Sequence, residues 1–320
     1  MKLALAIAAA ALGAASPLVA GERRLPGAHA VRACAAAGPY WPTMTLAIYR
    51  NAAWVACKEQ GRVLRVDTRT GKRTASLALG APVIAVAAGY RSLWALDAAS
   101  TLYRIDPARA RITRRTSVGA SRPYNVWTGG NSVWVIDDGD GSVIRVSRTG
   151  ARILNRFVLG DGPADIAFGA ASAWVIDHRD RRLWRIDLAS GSVARLATIP
   201  GDAPERLVLL GGSLWITGRG TDLLKVSPDT GAVETTIDVG ASGIDVIAVG
   251  DSLWVPARSA AVDQTGFPTM DALRRVSAAS GEVTTAARPT GRVDVHGLAA
   301  QGRYLWLADN TDGFLYRVAG

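Results

Sequence analysis

Short runs of alternating apolar and polar residues fill most of the chain, and they return in a fixed order. A run of small apolar residues, such as "VIAVAAG" at 83–89, is followed by the wholly apolar centre of "SLWALD" at 92–97. The alternating "TLYRID" comes next at 101–106, and the more polar "RITRRTSVG" closes the unit at 111–119. Runs this short, with period two and Gly-rich or Asp-rich breaks between them, predict β-strands joined by tight turns. The breaks before the fourth strand carry their own chemistry: "DTRTG" from Asp67, "DLASG" from Asp187 and "SPDTG" from Ser227. In each, Asp or Ser bonds its own backbone and Gly supplies the positive φ.

The units repeat. Trp54, Trp94, Trp134, Trp174, Trp215, Trp254 and Trp306 stand about 40 residues apart until the last step, which is about 52. A basic residue follows each: Arg65, Arg104, Arg145, Arg185, Lys225, Arg275 and Arg317. This period with four short strands per unit predicts an all-β, seven-bladed β-propeller of antiparallel blades over 44–320. The small-residue strand is innermost, and the tryptophan lies between neighbouring blades. The last unit ends after its third strand, so a stretch around Ala28–Cys34, within a clasp segment 22–43, is expected to supply the missing outer strand and close the ring.

Residues in every blade serve packing; departures from the repeat are better guides to function. Asp97, Asp137, Asp177 and Asp309 follow the tryptophans and anchor the turn after the second strand, while Cys57, Gly218 and Ala257 replace them elsewhere. Blade six is lengthened by "ARSAAVDQTGFPTMDAL" (257–273), which brings Asp263, Gln264, Thr265, Phe267 and Asp271 toward the face where propellers commonly bind ligands. On the same face Asn125, Asp165, Arg206, Asp245, Asp294 and His296 stand near the start of the inner strands and are candidates for a polar ring. The alternative is that they solvate the mouth of a water-filled channel.

The stretch "GDGPADIAFGAASAWVIDHRDRRLWRID" (160–187) resembles bacterial YVTN-type and streptogramin-lyase-like propellers, which share Val-Gly, Pro, Ile-Ala-Gly and Leu-Trp-Val-Asp elements. The resemblance covers 44–320 and implies the fold more strongly than any function. Streptogramin lyases open a lactone by proton abstraction with His, Glu and magnesium. Of these only His296, in "VDVHGLAA", has a counterpart here, and Val295 stands where that family has Pro. His29 and His178 read as solvent-facing. Asp294 or Asp263 would have to partner His296 in acid–base work.

Composition changes the picture at three points. The N-terminal "MKLALAIAAAALGAASPLVAG" has an early Lys, an apolar run and small residues after Pro17, which predicts a secretory signal over 1–21 and an exported protein, periplasmic or extracellular. The remaining chain has no long apolar span and reads as a monomer. Cys34 and Cys57 are then expected to form one disulfide, and neither has a neighbour at metal-ligand spacing. The net charge of +10 comes with only four lysines and leaves nucleic-acid binding open, "ARARITRR" (108–115) being its best support. Phosphate loops, nucleophile elbows and His pairs are absent. The reading that follows is a propeller acting as a binding platform for a protein or small-molecule ligand of the cell envelope. A metal-assisted lyase or hydrolase at the channel mouth, with a divalent cation, is the alternative, and nucleic-acid binding ranks third.

Overall fold

The structure, a computed structural model, describes residues 25–34, 44–220, 222–240, 242–243, 245–262, 268–310 and 313–319. The proposed signal and the insertion residues Asp263, Gln264, Thr265 and Phe267 lie outside the described residues, as does the side chain of His296.

Seven antiparallel sheets form a ring. Blade one runs through Met44–Tyr49, Ala52–Cys57, Arg62–Asp67 and Arg73–Ala78, from the axis outward. Blades two to five repeat that order, with inner strands Val83–Gly89, Pro123–Gly129, Pro163–Phe168 and Pro204–Leu210. In blade six, Ser242–Gly243 and Ile247–Val249 pair with Ser252–Val262. Blade seven holds Val295–Gln301, Tyr304–Asp309 and Phe314–Ala319, and its outer strand is His29–Arg32 from the other end of the chain. His29 pairs with Arg317 and Arg32 with Phe314, so the expected N-terminal closure is observed. Just beyond that strand Cys34 and Cys57 stand in bonding geometry, their Cα atoms 5.7 Å apart, which ties the clasp to blade one.

The repeat has a physical cause. The second strand of each blade is covered on both faces by its neighbours, and Ser92–Asp97, Ser132–Asp137 and Ser213–Gly218 are buried throughout. Each tryptophan enters the contact with the next blade: Trp54 packs with Leu93 and Tyr103, Trp94 with Val133 and Val135, and Trp306 with Leu46 and Val55. The basic residues sit opposite these tryptophans across the sheet, Trp134 against Arg145 and Trp306 against Arg317. The Arg145 guanidinium lies 5.3 Å from the Trp134 ring, donates to Ser132 Oγ at 2.8 Å and reaches the Leu188 carbonyl of the next blade at 3.0 Å. Arg317 closes the ring the same way on Thr68 O at 2.9 Å. One side chain thus covers the indole, braces its own strand and holds the neighbouring turn.

In four blades the aspartate after the tryptophan holds the opposite end. Asp137 Oδ1 accepts from the amides of Arg122 (2.9 Å) and Gly139 (3.0 Å), and Oδ2 accepts from Ser121 N at 2.7 Å. Burial opposes ionisation of Asp137, but these amide donors outweigh it and hold the carboxyl below its ordinary value. Asp177 accepts likewise from the amides of Gly162, Arg179 and Asp180. In the outer turns Asp187 Oδ1 accepts from Ala189 N and Ser190 N, with Gly191 at φ 74°.

Candidate functional site at the channel mouth

Four inner strands carry a bulge near their start, where Pro123, Val83, Pro163 and Pro204 pair in register and the next residue is skipped. Blade seven skips His296 in the same way. The bulge gives two kinds of position. The skipped residue is Ile84, Tyr124, Ala164, Glu205 or His296, and the following one is Ala85, Asn125, Asp165, Arg206 or Gly297. Of the residues expected in the ring, Asn125, Asp165 and Arg206 share one position, and Asp245 lies between the two paired stretches of blade six, Ser242–Gly243 and Ile247–Val249. His296 falls one residue earlier, on the bulge, and Gly297 takes the ring position.

A bulge leaves an amide of the strand without its ladder partner, and the ring side chains supply the acceptor. Asn125 Oδ1 accepts from Val126 N (2.8 Å), Asp165 Oδ1 from Ile166 N (2.9 Å) and Asp245 Oδ1 from Val246 N (2.9 Å). Asp165 does more, since its Oδ2 accepts from Leu207 N of blade five at 2.9 Å. Thr45 plays that bridging part toward Val86 N from blade one.

Charge concentrates where blades four to six meet. Arg206 lies 3.8 Å from Asp245 Oδ1 through Nε, donates through Nη1 to Glu205 O at 2.8 Å and is close to the Tyr124 side chain of blade three. Burial lowers the Arg206 pKa, but Tyr124, Asp245 and Asp165 outweigh it and the guanidinium is held more firmly charged than usual. Asp165, 7 % exposed, is pushed up to about 6, because burial and the Asp245 charge exceed the help of Arg206 and the two amides. A second pair closes the mouth toward blade seven. Arg258, 5 % exposed, donates to Asp294 Oδ1 at 2.8 Å and to Val295 O at 2.9 Å. Burial lowers its pKa against the pull of Asp294, Glu205 and Asp245.

The blade-six insertion is an extension of the sheet. Ser252–Val262 and Pro268–Ser277 continue as a long hairpin, with Arg258 opposite Met270 and Val262 opposite Pro268. Met270 is buried and its amide donates to Val293 O at 2.8 Å, which fastens the hairpin to the segment leading into blade seven. Asp271 is exposed beside Arg288, 3.4 Å away, and stands apart from the ionic cluster.

Arg258, Tyr124 and Glu205 belong to this mouth but escaped the sequence reading. Arg258 had a signal, being the charged residue inside the otherwise apolar "SLWVPARSAAV". His178 is half-buried, its Nδ1 2.9 Å from Gly162 O, where a solvent-facing ring was expected. The "ARARITRR" run lies along the outer strand Arg111–Ser117, whose Arg111 and Arg114 are exposed. Charged edges of this kind discourage pairing with other sheets.

Among the described residues, which leave out Asp263 and the His296 side chain, the donor set does not fit the divalent cation that the lyase resemblance implies. Both Asp165 oxygens are held by amides, Asp245 Oδ1 by Val246 N and Arg206, and Asp294 Oδ1 by Arg258. Among the described residues no three His, Cys, Asp or Glu converge with ligating geometry.

These features define a seven-bladed β-propeller with a charged mouth on one face. No family model matches the sequence, and no curated protein matches it. Among solved structures the chain is similar to virginiamycin B lyase from Staphylococcus aureus, at TM-score 0.73 and 16 % identity over 92 % of this chain and 99 % of that one. A catalytically inactive variant of that lyase with quinupristin matches equally well. The β-propeller domain of Myceliophteria thermophila Cps50 (Swd1) gives TM-score 0.71 and 12 % identity over 92 % and 99 % of the two chains. A chain of the mitotic checkpoint complex gives 0.76 and 16 % over 100 % and 99 %. The expected likeness to streptogramin-lyase propellers therefore holds at the level of the fold.

Proposed function

We propose that the protein is an exported binding platform without catalytic activity, and that its mouth face takes a protein or small-molecule ligand of the cell envelope. The observation that carries this reading is the composition of the bulge positions beside the hairpin. Tyr124 stands 41 % exposed at the mouth close to Arg206, so an exposed aromatic side chain adjoins the charged cluster. The carboxylates that acid–base chemistry would use are committed instead to backbone amides and arginines. Propellers of this shape include a lyase and components of protein assemblies, and a rigid ring that displays variable residues suits the latter role. No helix among the described residues is long and apolar enough to cross a membrane.

The test is capture from envelope extract by the mature chain, by a Tyr124→Ala variant, and by a chain whose residues 263–267 are shortened to Asn-Gly. One protein, identified by mass spectrometry, that rebinds in purified form and is lost with both variants supports the reading. Equal capture by all three refutes it. The lyase reading keeps one supporting observation, the place of His296 on the inner strand of blade seven. Incubation with quinupristin and magnesium, followed by mass spectrometry, decides it, because a ring-opened product lost in His296→Ala would replace the platform reading with an enzymatic one.

A further inference from the structure

The opposite face of the ring, where first strands turn into second and third into fourth, carries a different feature. A cavity of about 400 Å³ lies there between blades one and two, and its wall includes Arg50, Arg65, Arg91, Asp67 and Asp106. We propose that this cavity is a binding site for a compact oxyanion, a carboxylate or a phosphate.

Three observations converge on it. The first is a broken latch. In blades two, three and six the arginine opposite the tryptophan donates through Nε to a serine at the start of the second strand: Arg104 to Ser92 (2.8 Å), Arg145 to Ser132 (2.8 Å) and Arg275 to Ser252 (3.1 Å). Blade one has Ala52 at that place, and the buried Nε of Arg65 finds no acceptor among the described residues. The adjoining Trp54 Nε1 is likewise without one, whereas Trp94 and Trp134 donate to Gly89 O and Gly129 O. Of these two buried donors without acceptors, Arg65 lines the cavity and Trp54 lies behind it under the Arg65 guanidinium, and an unmet donor calls for an oxygen.

The second observation concerns the turns that bring the other two cations. Arg50 and Arg91 occupy the left-handed region, with φ of 53° and 57°. Glycine fills the position of Arg50 in four other blades, as Gly130, Gly211, Gly250 and Gly302, with Tyr90 and Ala170 in the other two, and at the position of Arg91 blade five alone has glycine, Gly212. A long side chain in a conformation that favours glycine is costly in the free protein and points to a use for the side chain. The third is charge. The carboxylate of Asp67 is engaged by the amides of Thr70 and Arg69, and that of Asp106 by the Arg109 guanidinium at 3.0 Å and by the amides of Arg109 and Ala108, so both are held below their ordinary values and stay ionised. Three guanidiniums face two carboxylates, and the balance favours an anion that presents its oxygens to the arginine side.

This site is independent of the mouth and of its proposed ligand. Calorimetric titration at low ionic strength with inorganic phosphate, and separately with citrate, tests it on the wild type and two variants. Arg50→Gly with Arg91→Gly places at these two left-handed positions the glycines that blade five carries, Gly211 and Gly212, and its thermal midpoint is expected at or above the wild-type value. Arg303→Gly removes a cation from the equivalent turn of blade seven. Saturable one-site binding of either probe, weakened at least tenfold by the double variant and unchanged by Arg303→Gly, supports the proposal, and the better probe identifies the anion class. No saturable binding of either probe, or equal weakening by Arg303→Gly, overturns it.

Discussion

Asp165→Asn probes the charged mouth through its pH dependence. In the folded protein the carboxyl is pushed from 3.8 up to about 6, chiefly by burial, although two amides and Arg206 favour its charge. A group whose folded pKa is raised holds its proton more tightly in the native state. Its contribution to stability is therefore fully present below pH 3.8 and is lost as pH rises through 6. A rise of this size, roughly two pH units, corresponds to about 3 kcal/mol. The asparagine does not titrate. It keeps one acceptor oxygen but turns an NH₂ toward the amide of Ile166 or Leu207, a loss of about 1–3 kcal/mol that does not vary with pH. Urea denaturation of both proteins at pH steps from 4 to 8 isolates the titration as the difference in unfolding free energy. The wild type is expected to be the more stable by about 1–3 kcal/mol near pH 4, with the gap closing or inverting by pH 7. A gap that stays constant or widens with pH would show that Asp165 is already ionised in acid, and the account of the mouth as burial-dominated would be wrong.

Arg258→Ala leaves Asp294 without its guanidinium at a largely buried site, and chemical denaturation should show a loss of about 3 kcal/mol; a loss below about 1 kcal/mol would mean that water replaces the arginine. Trp134→Ala empties the contact between blades three and four, so a loss of about 3–5 kcal/mol is expected by the same method. Asp137→Asn acts at the acid end. The Asp137 pKa is lowered, so its contribution is present above 3.8 and fades as pH falls, and the stability gap between wild type and variant should narrow toward pH 2. Thiol titration of denatured protein without reductant should find no free thiol. Joint replacement of Cys34 and Cys57, which are 23 positions apart, should cost about 3 kcal/mol.

The likeness among blades explains why so much of the fold could be read in advance. Each unit meets the same surroundings, an axis on one side and two neighbouring blades on its faces, so each needs the same residues at the same spacing. That constraint fixes Trp94 and its six counterparts, the basic residue opposite each and, in four blades, the aspartate in the following turn. The closing strand was legible for a related reason. A blade that ends at three strands exposes a ladder of unpaired backbone groups, and Ala28–Cys34 was the stretch available to cover it.

The mouth follows no such repetition. Asn125, Asp165, Arg206 and Asp245 could be named from the sequence because they replace small residues at matching positions, but His296 looked like one of them. A bulge shifts side-chain direction by one residue, and its place depends on which amide pairs with the second strand, a relation between segments that linear spacing does not record. The Arg258–Asp294 pair spans 36 positions and two blades, and only the docking of the hairpin against Val293 joins them. The cavity on the far face was equally hidden. Ala52 for serine, and Arg50 and Arg91 in left-handed turns, are three separate features of the sequence, and the closure of blade one against blade two gathers them around one space. Local pattern determined the strands, the turns and the number of blades, because those depend on neighbours along the chain. Which charges meet, and which donors lack acceptors, was decided by the tertiary structure, because electrostatics and desolvation act across space.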